Sequence, residues 1–255
     1  MGRLLETSDL SKSFGGIKAV QNFLIHIDEG EVIGLIGPNG AGKTTAFNLL
    51  TGVYTPTTGK ILFDGKDITG RKPYQITALG IARTFQNIRL FGELSVLENV
   101  KIAFTLHASY SFPEAIFRLG RYGGEEQIID DRARELLAAF KLDTLADEQA
   151  KNLPYGQQRR LEIARALATR PKLLLLDEPA AGMNPQETKE LTEMIRWIRD
   201  TYHLSILLIE HDMALVMKIC ERIYVLDYGK ILAEGTPDEI RNNPAVIKAY
   251  LGTEG

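Results

Sequence analysis

The chain has 255 residues, enough for one large or two small domains, and a formal net charge of −3, which excludes a strongly basic nucleic-acid binder. Its hydrophobic content of 44% and charged content of 25% are those of an ordinary globular protein. A single cysteine, Cys220, excludes an internal disulfide. The N-terminal residues lack the apolar core of a signal peptide and the strongest apolar runs have only strand length, so we expect no membrane-crossing segment.

The first third of the chain alternates strand patterns with glycine turns. Residues 4–10 and 19–27 alternate apolar and polar side chains, so both are predicted strands, with a glycine turn at 12–16 between them. The apolar run Val32–Ile36 predicts a further strand, and residues 61–63 and 81–85 predict two short ones.

A glycine-rich loop follows Val32–Ile36 and precedes a helical pattern. It matches the phosphate-loop motif G-x-x-x-x-G-K-[ST], with a strand and a helix where the motif requires them. The loop consists of Gly37, Pro38, Asn39, Gly40, Ala41, Gly42, Lys43, Thr44 and Thr45. Glycines let the backbone N–H groups turn inward, and these groups attract a polyphosphate together with the helix N-terminus. Lys43 adds a charge at the β and γ phosphates, and the Thr44 hydroxyl can bind Mg²⁺.

The pattern becomes helical from about residue 95 to 167. Residues 109–124, rich in aromatic, arginine and glycine residues, are interpreted as a helical insert with a loop, and a third helix is predicted to start near Gly156. Strands and helices then alternate again, with strands predicted at 172–176, 205–209, 223–227 and 230–233 and helices at 185–202, 213–219 and from Pro237 and Pro244. This order predicts an α/β core with a helical subdomain.

Two adjacent acids end the apolar run at 172–176. In an open α/β sheet this places Asp177 and Glu178 at the carboxyl edge, where ligands bind. Asp177 is a candidate to hold Mg²⁺ through its water shell, and Glu178 is a candidate base for a water that attacks a γ-phosphate. His211 follows the strand at 205–209 and so is expected at the same edge. Solvated acids at a strand end are the simple alternative, which the phosphate loop makes less attractive.

In its motifs the sequence resembles the ATP-binding-cassette (ABC) ATPases. The sequence motifs of that family occur in the expected order, at Phe14, Gln86, the signature segment 153–157, the D-loop segment 181–184 and His211. The resemblance implies a P-loop NTPase (RecA-like) core with a mainly parallel sheet, an antiparallel β subdomain and an inserted α-helical subdomain. It also implies bounds of 1–88 and 168–236 for the core, 89–167 for the helical part and 237–255 for C-terminal helices.

The resemblance further implies that the cofactors are ATP and Mg²⁺ and that the site residues fall into three groups. Glu178, His211 and Gln86 would be catalytic, and Thr44, Gln86 and Asp177 would hold the metal. The nucleotide would contact Phe14, which stacks on adenine, the whole phosphate loop, and Tyr155, Gly156 and Gln157 of the signature segment. Taken singly, Phe14 is more often a core or turn aromatic, Gln86 a surface amide and His211 a structural histidine.

Two positions depart from the family pattern. Pro154 and Tyr155 replace the signature serine and its first glycine, so a hydroxyl that would contact a γ-phosphate across a dimer is missing. Asn184 stands in the D-loop where many relatives have aspartate, which keeps hydrogen bonding and loses charge. Both departures bring the usual geometry across a dimer into question.

Three segments make the sequence similar to the ATPases of bacterial branched-chain amino-acid importers, the LivG type. They are residues 83–91 (RTFQNIRLF), 154–162 (PYGQQRRLE) and 177–185 (DEPAAGMNP). The resemblance implies two transmembrane permease subunits, a second ABC ATPase (sibling or self) in an ATP-sandwich dimer, indirectly a periplasmic or extracellular binding protein, and no nucleic acid. The protein would lie peripherally on the cytoplasmic face of the inner membrane.

Other functions remain open from the sequence alone. Importers of urea, amides or other amino acids and the lipopolysaccharide exporter share much of the pattern. A non-transport ABC ATPase would usually carry a second cassette or long coiled coils, and a small-molecule kinase would share only the phosphate loop.

Overall fold

The chain separates into two compact units, residues 1–86 with 172–255 and residues 87–171. The computed structural model describes residues 2–108 and 122–251, and the single residues 114, 116 and 120. The predicted insert at 109–124 lies largely outside the described residues. No helix in the described ranges is long and apolar enough to cross a lipid bilayer.

The first unit contains two β-sheets. Its strands are β1 (Arg3–Phe14), β2 (Ile17–Phe23), β3 (His26–Asp28), β4 (Val32–Ile36), β5 (Thr58–Phe63), β6 (Lys66–Asp67), β7 (Ile81–Arg83), β8 (Leu173–Asp177), β9 (Ser205–Ile209), β10 (Arg222–Asp227) and β11 (Lys230–Gly235). One sheet has the order β11-β10-β4-β9-β8-β7, and only its β10–β11 pair is antiparallel. The other is antiparallel, with β3 pairing β1 beside the path β2-β1-β5-β6. This confirms the predicted α/β core with a mainly parallel sheet.

The parallel sheet is buried on both faces because its central strands are continuous apolar runs. Every residue of β4, β8 and β9 is buried. Each fully buried Leu or Ile side chain stabilises the fold by about 1.5–3 kcal/mol relative to an exposed one. The register pairs Asp177 with Ile209 and Leu35 with Ile209, so the carboxyl ends of β8, β4 and β9 meet at one edge.

The prediction of a single strand at 19–27 was wrong, because this stretch forms β2 and β3. The Thr7 hydroxyl donates to the Phe23 carbonyl (2.8 Å) and accepts from the Ile25 amide (3.0 Å). The Thr7 side chain therefore satisfies two backbone groups where the chain changes from pairing as β2 to pairing as β3. Leu24 lies between the two strands and is exposed.

Two further strand bounds needed correction. β1 runs to Phe14, so the predicted turn at 12–16 is confined to Gly15 and Gly16, both with positive φ. β7 ends at Arg83 and not at Phe85.

The helices of the first unit include one that the sequence analysis missed. They are α1 (Lys43–Leu50), α2 (Pro73–Leu79), α6 (Pro185–Tyr202), α7 (Met213–Ile219), α8 (Pro237–Arg241) and α9 (Pro244–Leu251). The missed helix, α2, buries only Ile76 and so has little apolar periodicity, although Pro73 in its first turn and Gly80 at its end (φ 109°) are start and stop signals. α6 has the predicted bounds, and the Asn184 side chain caps it by accepting from the Gln186 and Glu187 amides.

The second unit is helical in its described residues. Its helices are α3 (Val96–Phe104), α4 (Tyr122–Ala139) and α5 (Tyr155–Ala168), with α5 packing on α3 and α4. Three polar side chains described in this unit are buried, and each has a partner. Asn99 exchanges hydrogen bonds with both backbone groups of Phe91 (2.9 and 3.0 Å), and Arg159 pairs with Glu162 at 2.7 Å. These bonds fix the residues that begin the unit and the start of α5.

The buried thiol of Cys220 gives a direct probe of the first unit. Burial raises the pKa of Cys220 to about 12, so the reactive thiolate is suppressed at neutral pH. We expect negligible reaction with Ellman's reagent in the native protein at pH 8, and one thiol per chain after unfolding in guanidinium chloride. Complete reaction of the native protein within the mixing time would contradict this placement.

Candidate functional site

The phosphate loop joins β4 to α1, and two of its glycines are required by their close surroundings. A Cβ on Gly37 (φ 152°) would lie 2.0 Å from the Leu226 carbonyl oxygen, and one on Gly42 (φ 106°) 2.5 Å from the Ala19 oxygen. Both backbones also have dihedral angles that L side chains rarely adopt. The loop is therefore seated on β10 and β2 with no room for a larger residue at Gly37 or Gly42.

Lys43 is the first residue of α1 and is buried against its own loop. Its ammonium donates to the carbonyls of Gly37 (2.7 Å) and Pro38 (3.0 Å). Burial lowers the pKa of Lys43, while the charges of Glu178 and Asp177 act in the opposite direction. The loop thus holds a cation whose charge is little screened by water, which strengthens its attraction for a phosphate.

Asp177 ends β8 and forms a buried ion pair that the sequence analysis did not anticipate. Its Oδ2 accepts from Arg83 Nη2 at 2.6 Å, and both side chains are almost fully buried. Arg83 Nη1 donates in turn to Asn48 Oδ1 of α1 at 2.7 Å. Arg83 belongs to the segment 83–91 quoted above, but nothing in the sequence spacing indicates a partner 94 residues away.

Glu178 brings together the three residues predicted to be catalytic. Its Oε1 lies 2.8 Å from His211 Nε2, and its Oε2 accepts from Gln86 Nε2 at 2.6 Å. The residue has a left-handed backbone (φ 45°), and its amide donates to the Ile209 carbonyl at 2.9 Å. A non-glycine residue in this conformation is uncommon and is often found where a side chain must be aimed at a site.

A second acid, Glu210, holds the loops after β8 and β9 together. Its carboxylate accepts from the amides of Ala180 (2.7 Å) and His211 (2.9 Å). Burial raises the pKa of Glu210, its three backbone hydrogen bonds lower it, and the charge of Glu178 raises it. The sequence analysis missed this residue. Its position between a buried strand and His211 was the available signal.

Lys43, Glu178 and His211 border a cavity of about 590 Å³ in the first unit. The cavity is lined by Ile17, Lys18, Ala19, Gln21, Asn39, Gly40, Ala41, Gly42, Lys43, Thr44, Thr45, Glu178, His211, Tyr228 and Gly229. It places the loop lysine and threonines in one space with the candidate base and histidine.

Phe14, the predicted adenine platform, is not among the lining residues. Its ring, 42% exposed, packs edge-on against Tyr54 with centroids 5.2 Å apart, below the ammonium of Lys12. Gly37, Pro38, Asp177 and Gln86 also lie outside the lining and act on the cavity through the contacts above.

The signature residues Tyr155, Gly156 and Gln157 belong to the second unit and form the first turn of α5. Pro154 occupies the N-cap without a side-chain hydrogen bond, since it has no hydroxyl. The Tyr155 hydroxyl accepts from buried Arg159 (3.1 Å), which holds the residue that replaces the family's glycine.

Comparison with known proteins gives consistent results along the chain. A family model described as "ABC transporter" matches residues 20–181, and one described as "Branched-chain amino acid ATP-binding cassette transporter" matches residues 230–255. The chain is 49% identical to the high-affinity branched-chain amino acid transport ATP-binding protein LivG of Escherichia coli K12, and 47% identical to the corresponding protein BraF of Pseudomonas aeruginosa. Each alignment covers 98% of both proteins.

Among solved structures, the chain is similar to the ADP conformation of MJ1267, an ATP-binding cassette of an ABC transporter. The TM-score is 0.85 and the identity 32%, over 99% of this chain and 100% of that one.

We expect the Arg83–Asp177 pair to be strongly coupled. Arg83→Met would leave a buried carboxylate without its partner and lower the free energy of unfolding by about 3–5 kcal/mol. Adding Asp177→Asn should recover much of that loss, as measured by urea denaturation of both single variants and the double variant.

Arg199→Met is the matched control, because it breaks an ion pair with Glu221 at the surface and should cost less than about 1 kcal/mol. Equal losses for Arg83→Met and Arg199→Met would contradict the buried coupling.

Proposed function

Because the chain belongs to the ABC transporter family of ATP-binding proteins and is an ATPase of that family, we propose that it energises a bacterial importer of branched-chain amino acids. The observation that carries the ATPase role is the convergence of Gln86 and His211 on Glu178 beside the phosphate loop. The cargo is supported by relatives 47–49% identical over 98% of the chain and by the match at residues 230–255.

The residues of the site have distinct roles in the proposed hydrolysis. Lys43 transfers its hydrogen bonds from the Gly37 and Pro38 carbonyls to the β and γ phosphates of ATP. The Glu178 carboxylate takes a proton from the attacking water, and His211 and Gln86 hold its two oxygens in place. Such positioning supplies most of the catalysis in phosphoryl transfer, where little covalent chemistry falls to the protein.

Thr44 and Asp177 are the residues proposed to hold Mg²⁺, with Gln86 as a further oxygen donor. A hydroxyl, a carboxylate and an amide oxygen are the hard donors that Mg²⁺ prefers. The described residues contain no group of three or more His, Cys, Asp or Glu side chains placed to bind a metal, which fits an ion held largely by phosphates and water. Bound Mg²⁺ would neutralise charge on the β and γ phosphates.

We propose that a second cassette completes the ATP site through the first turn of its α5. The start of a helix attracts anions, and Gly156 and Gln157 lie in the first turn of α5, where the Gln157 amide also donates to the Pro154 carbonyl at 2.9 Å. Pro154 contributes no hydroxyl, and the Asn184 side chain is engaged in capping α6, so neither offers the usual contact across a dimer. This favours pairing with a sibling cassette over pairing with a second copy.

The permease contact is proposed at the start of the second unit, with Phe91 at its centre. Phe91 is 49% exposed, although both its backbone groups are fixed by Asn99 and its ring lies below the guanidinium of Arg165. A rigid apolar anchor of this kind suits a short partner helix. Through the two permeases the protein would lie peripherally on the cytoplasmic face of the inner membrane, coupled indirectly to an external binding protein.

Transport itself tests the cargo. The chain should be reconstituted in vesicles with two permeases, a sibling cassette and a binding protein from the same organism. ATP-dependent uptake of leucine, isoleucine and valine is expected. Uptake of urea or an amide instead would show that the protein serves a related importer. If no membrane proteins co-purify with the chain, a non-transport ATPase would be favoured.

Glu178→Gln keeps the shape of the side chain but removes the base and one negative charge. We expect this variant to bind ATP, to hydrolyse it at least a hundredfold more slowly, and to accumulate as a closed pair with ATP. Size-exclusion chromatography with light scattering, with ATP and with ADP, alone and with the sibling, measures pairing.

Lys43→Ala is the control, since it should lose hydrolysis and ATP-dependent pairing together while keeping its circular dichroism spectrum. Hydrolysis by Glu178→Gln at the wild-type rate would refute its role as base. Absence of ATP-dependent pairing in both settings would refute the shared site.

Phe91→Cys should cross-link to a permease in membranes. Because Cys220 is buried, the introduced cysteine supplies the reactive thiol. Leu24→Cys, 63% exposed in the first unit, is the matched control and should give no permease product. Equal labelling from both positions, or labelling only of soluble proteins, would count against the proposed contact.

A further inference from the structure

A second cavity, of about 680 Å³, is formed by the helices α7, α8 and α9 of the first unit. Its apolar lining comes from all three helices: Met213 and Met217 of α7, Ile240 of α8, and Val246 and Tyr250 of α9. Among the described residues, none lines both this cavity and the one beside the phosphate loop. Small-molecule pockets have volumes of about 300–1,000 Å³. This is therefore a separate space, large enough for an organic ligand.

Hydrogen bonds at the helix ends hold the walls of this cavity in place. At the start of α7 the Asp212 carboxylate accepts from the Ala214 amide at 2.9 Å. At the end of α7 the Lys218 carbonyl accepts from Arg196 Nη2 at 2.6 Å. A capping box at Thr236 begins α8. The positions of these walls therefore do not depend on a bound ligand.

Two cationic side chains border this apolar space, and no acidic residue among the described ones does. Lys218 lies in the last turn of α7 and Arg241 ends α8, and both are exposed. Neither side chain forms an ion pair or hydrogen bond with another described residue. A cation at the end of a helix also stabilises the helix dipole, but that role requires no apolar surface beside it. Here Ile240 and Val246, 1% and 6% exposed, provide one. An apolar lining with only positive charge is complementary to an apolar anion.

We propose that this cavity binds the free carboxylate of a single hydrocarbon chain, a medium-chain or long-chain fatty acid. In the complex the chain lies on Met213, Met217 and Ile240, and the carboxylate pairs with Lys218 and Arg241. Methionine side chains are flexible and polarisable, so they adapt to an unbranched chain. An amino acid fits less well, because its ammonium finds two cations and no acidic partner in the lining. The inference is independent of the cargo and of ATP hydrolysis.

Calorimetric titration of the full-length chain with octanoate, decanoate and dodecanoate, below their critical micelle concentrations, tests the site. The Kd should fall about fourfold for each added CH₂, the effect of burying one methylene group. Decanol and decylammonium lack the carboxylate and should bind about tenfold more weakly than decanoate. Equal Kd values for the three carboxylates, or for decanoate and decylammonium, would overturn the proposal.

Ile247→Glu and Ile247→Gln separate the effect of charge from that of packing. Ile247 lines the cavity and is 44% exposed, so both variants should fold, as thermal melting would verify. Glutamate adds a negative charge to the lining. Compared with Ile247→Gln, it should weaken decanoate about fivefold and tighten decylammonium. The same affinity of both variants for decanoate would contradict the proposed site.

Removal of both cations tests the carboxylate contact directly. The double variant Lys218→Gln/Arg241→Gln should bind decanoate about fivefold more weakly than the wild type, with decanol unaffected. Lys189→Gln/Lys248→Gln is the matched control, because it removes the same charge from exposed helix positions outside the lining. It should leave the Kd for decanoate unchanged. Equal losses in the two double variants would refute the pairing with Lys218 and Arg241.

Two other occupants of the cavity give different results. Binding to phosphatidylglycerol vesicles without binding of any free carboxylate would overturn the proposal in favour of a membrane surface. A nucleotide-independent dimer in light scattering that Ile247→Glu abolishes, again without carboxylate binding, would identify an interface between two copies of the chain. ATP binding measured in the same samples should be unchanged by Ile247→Glu, so failure of this inference is distinguished from failure of the nucleotide site.

Discussion

The hydrogen bond from the Glu178 amide to the Ile209 carbonyl joins the ends of the two strands from which the site is built. It continues the β8–β9 ladder one residue past Asp177 and turns Glu178 into the left-handed region. The buried carboxylate of Glu210 joins the same two loops through the amides of Ala180 and His211. The placement of the Glu178 carboxylate relative to His211 therefore depends on backbone hydrogen bonds that the buried sheet fixes.

Most charged side chains of the site interact with more than one partner, so no single ion pair balances the charge of the site. Glu178 has donors on both oxygens, Asp177 has Arg83, and Lys43 has two carbonyls and the field of both acids. In a low-dielectric interior each of these groups would be costly without its partners. The consequence is a rigid constellation, and rigidity is what electrostatic stabilisation of a phosphoryl-transfer transition state requires.

Local patterns predicted what depends on neighbours in the sequence. The phosphate loop, the buried strands and the bounds of α6 follow from motifs, apolar runs and a capping signal within a few residues. The division into β2 and β3 depends on the Thr7 hydroxyl from another strand, and the partnership of Arg83 with Asp177 spans 94 residues. Such contacts arise from tertiary packing between residues that are distant in the sequence, so no short stretch of sequence predicts them. The contact of the Phe14 ring with Tyr54 is of the same kind, and the role of Phe14 as an adenine platform stays a prediction.

The hydrogen bonds from Lys43 to the Gly37 and Pro38 carbonyls affect which anions the loop binds preferentially. A ligand must replace the hydrogen bonds of 2.7 and 3.0 Å that the Lys43 ammonium already makes to these carbonyls. The free energy of binding is therefore the difference between the new hydrogen bonds and the ones that are lost. A small monovalent anion that reaches only the lysine gains little from this exchange. In the proposed ATP site, a chain of phosphates would gain from the lysine and from the amides at the start of α1 at once. The two loop carbonyls would then act as competitors that favour polyphosphates over simple anions.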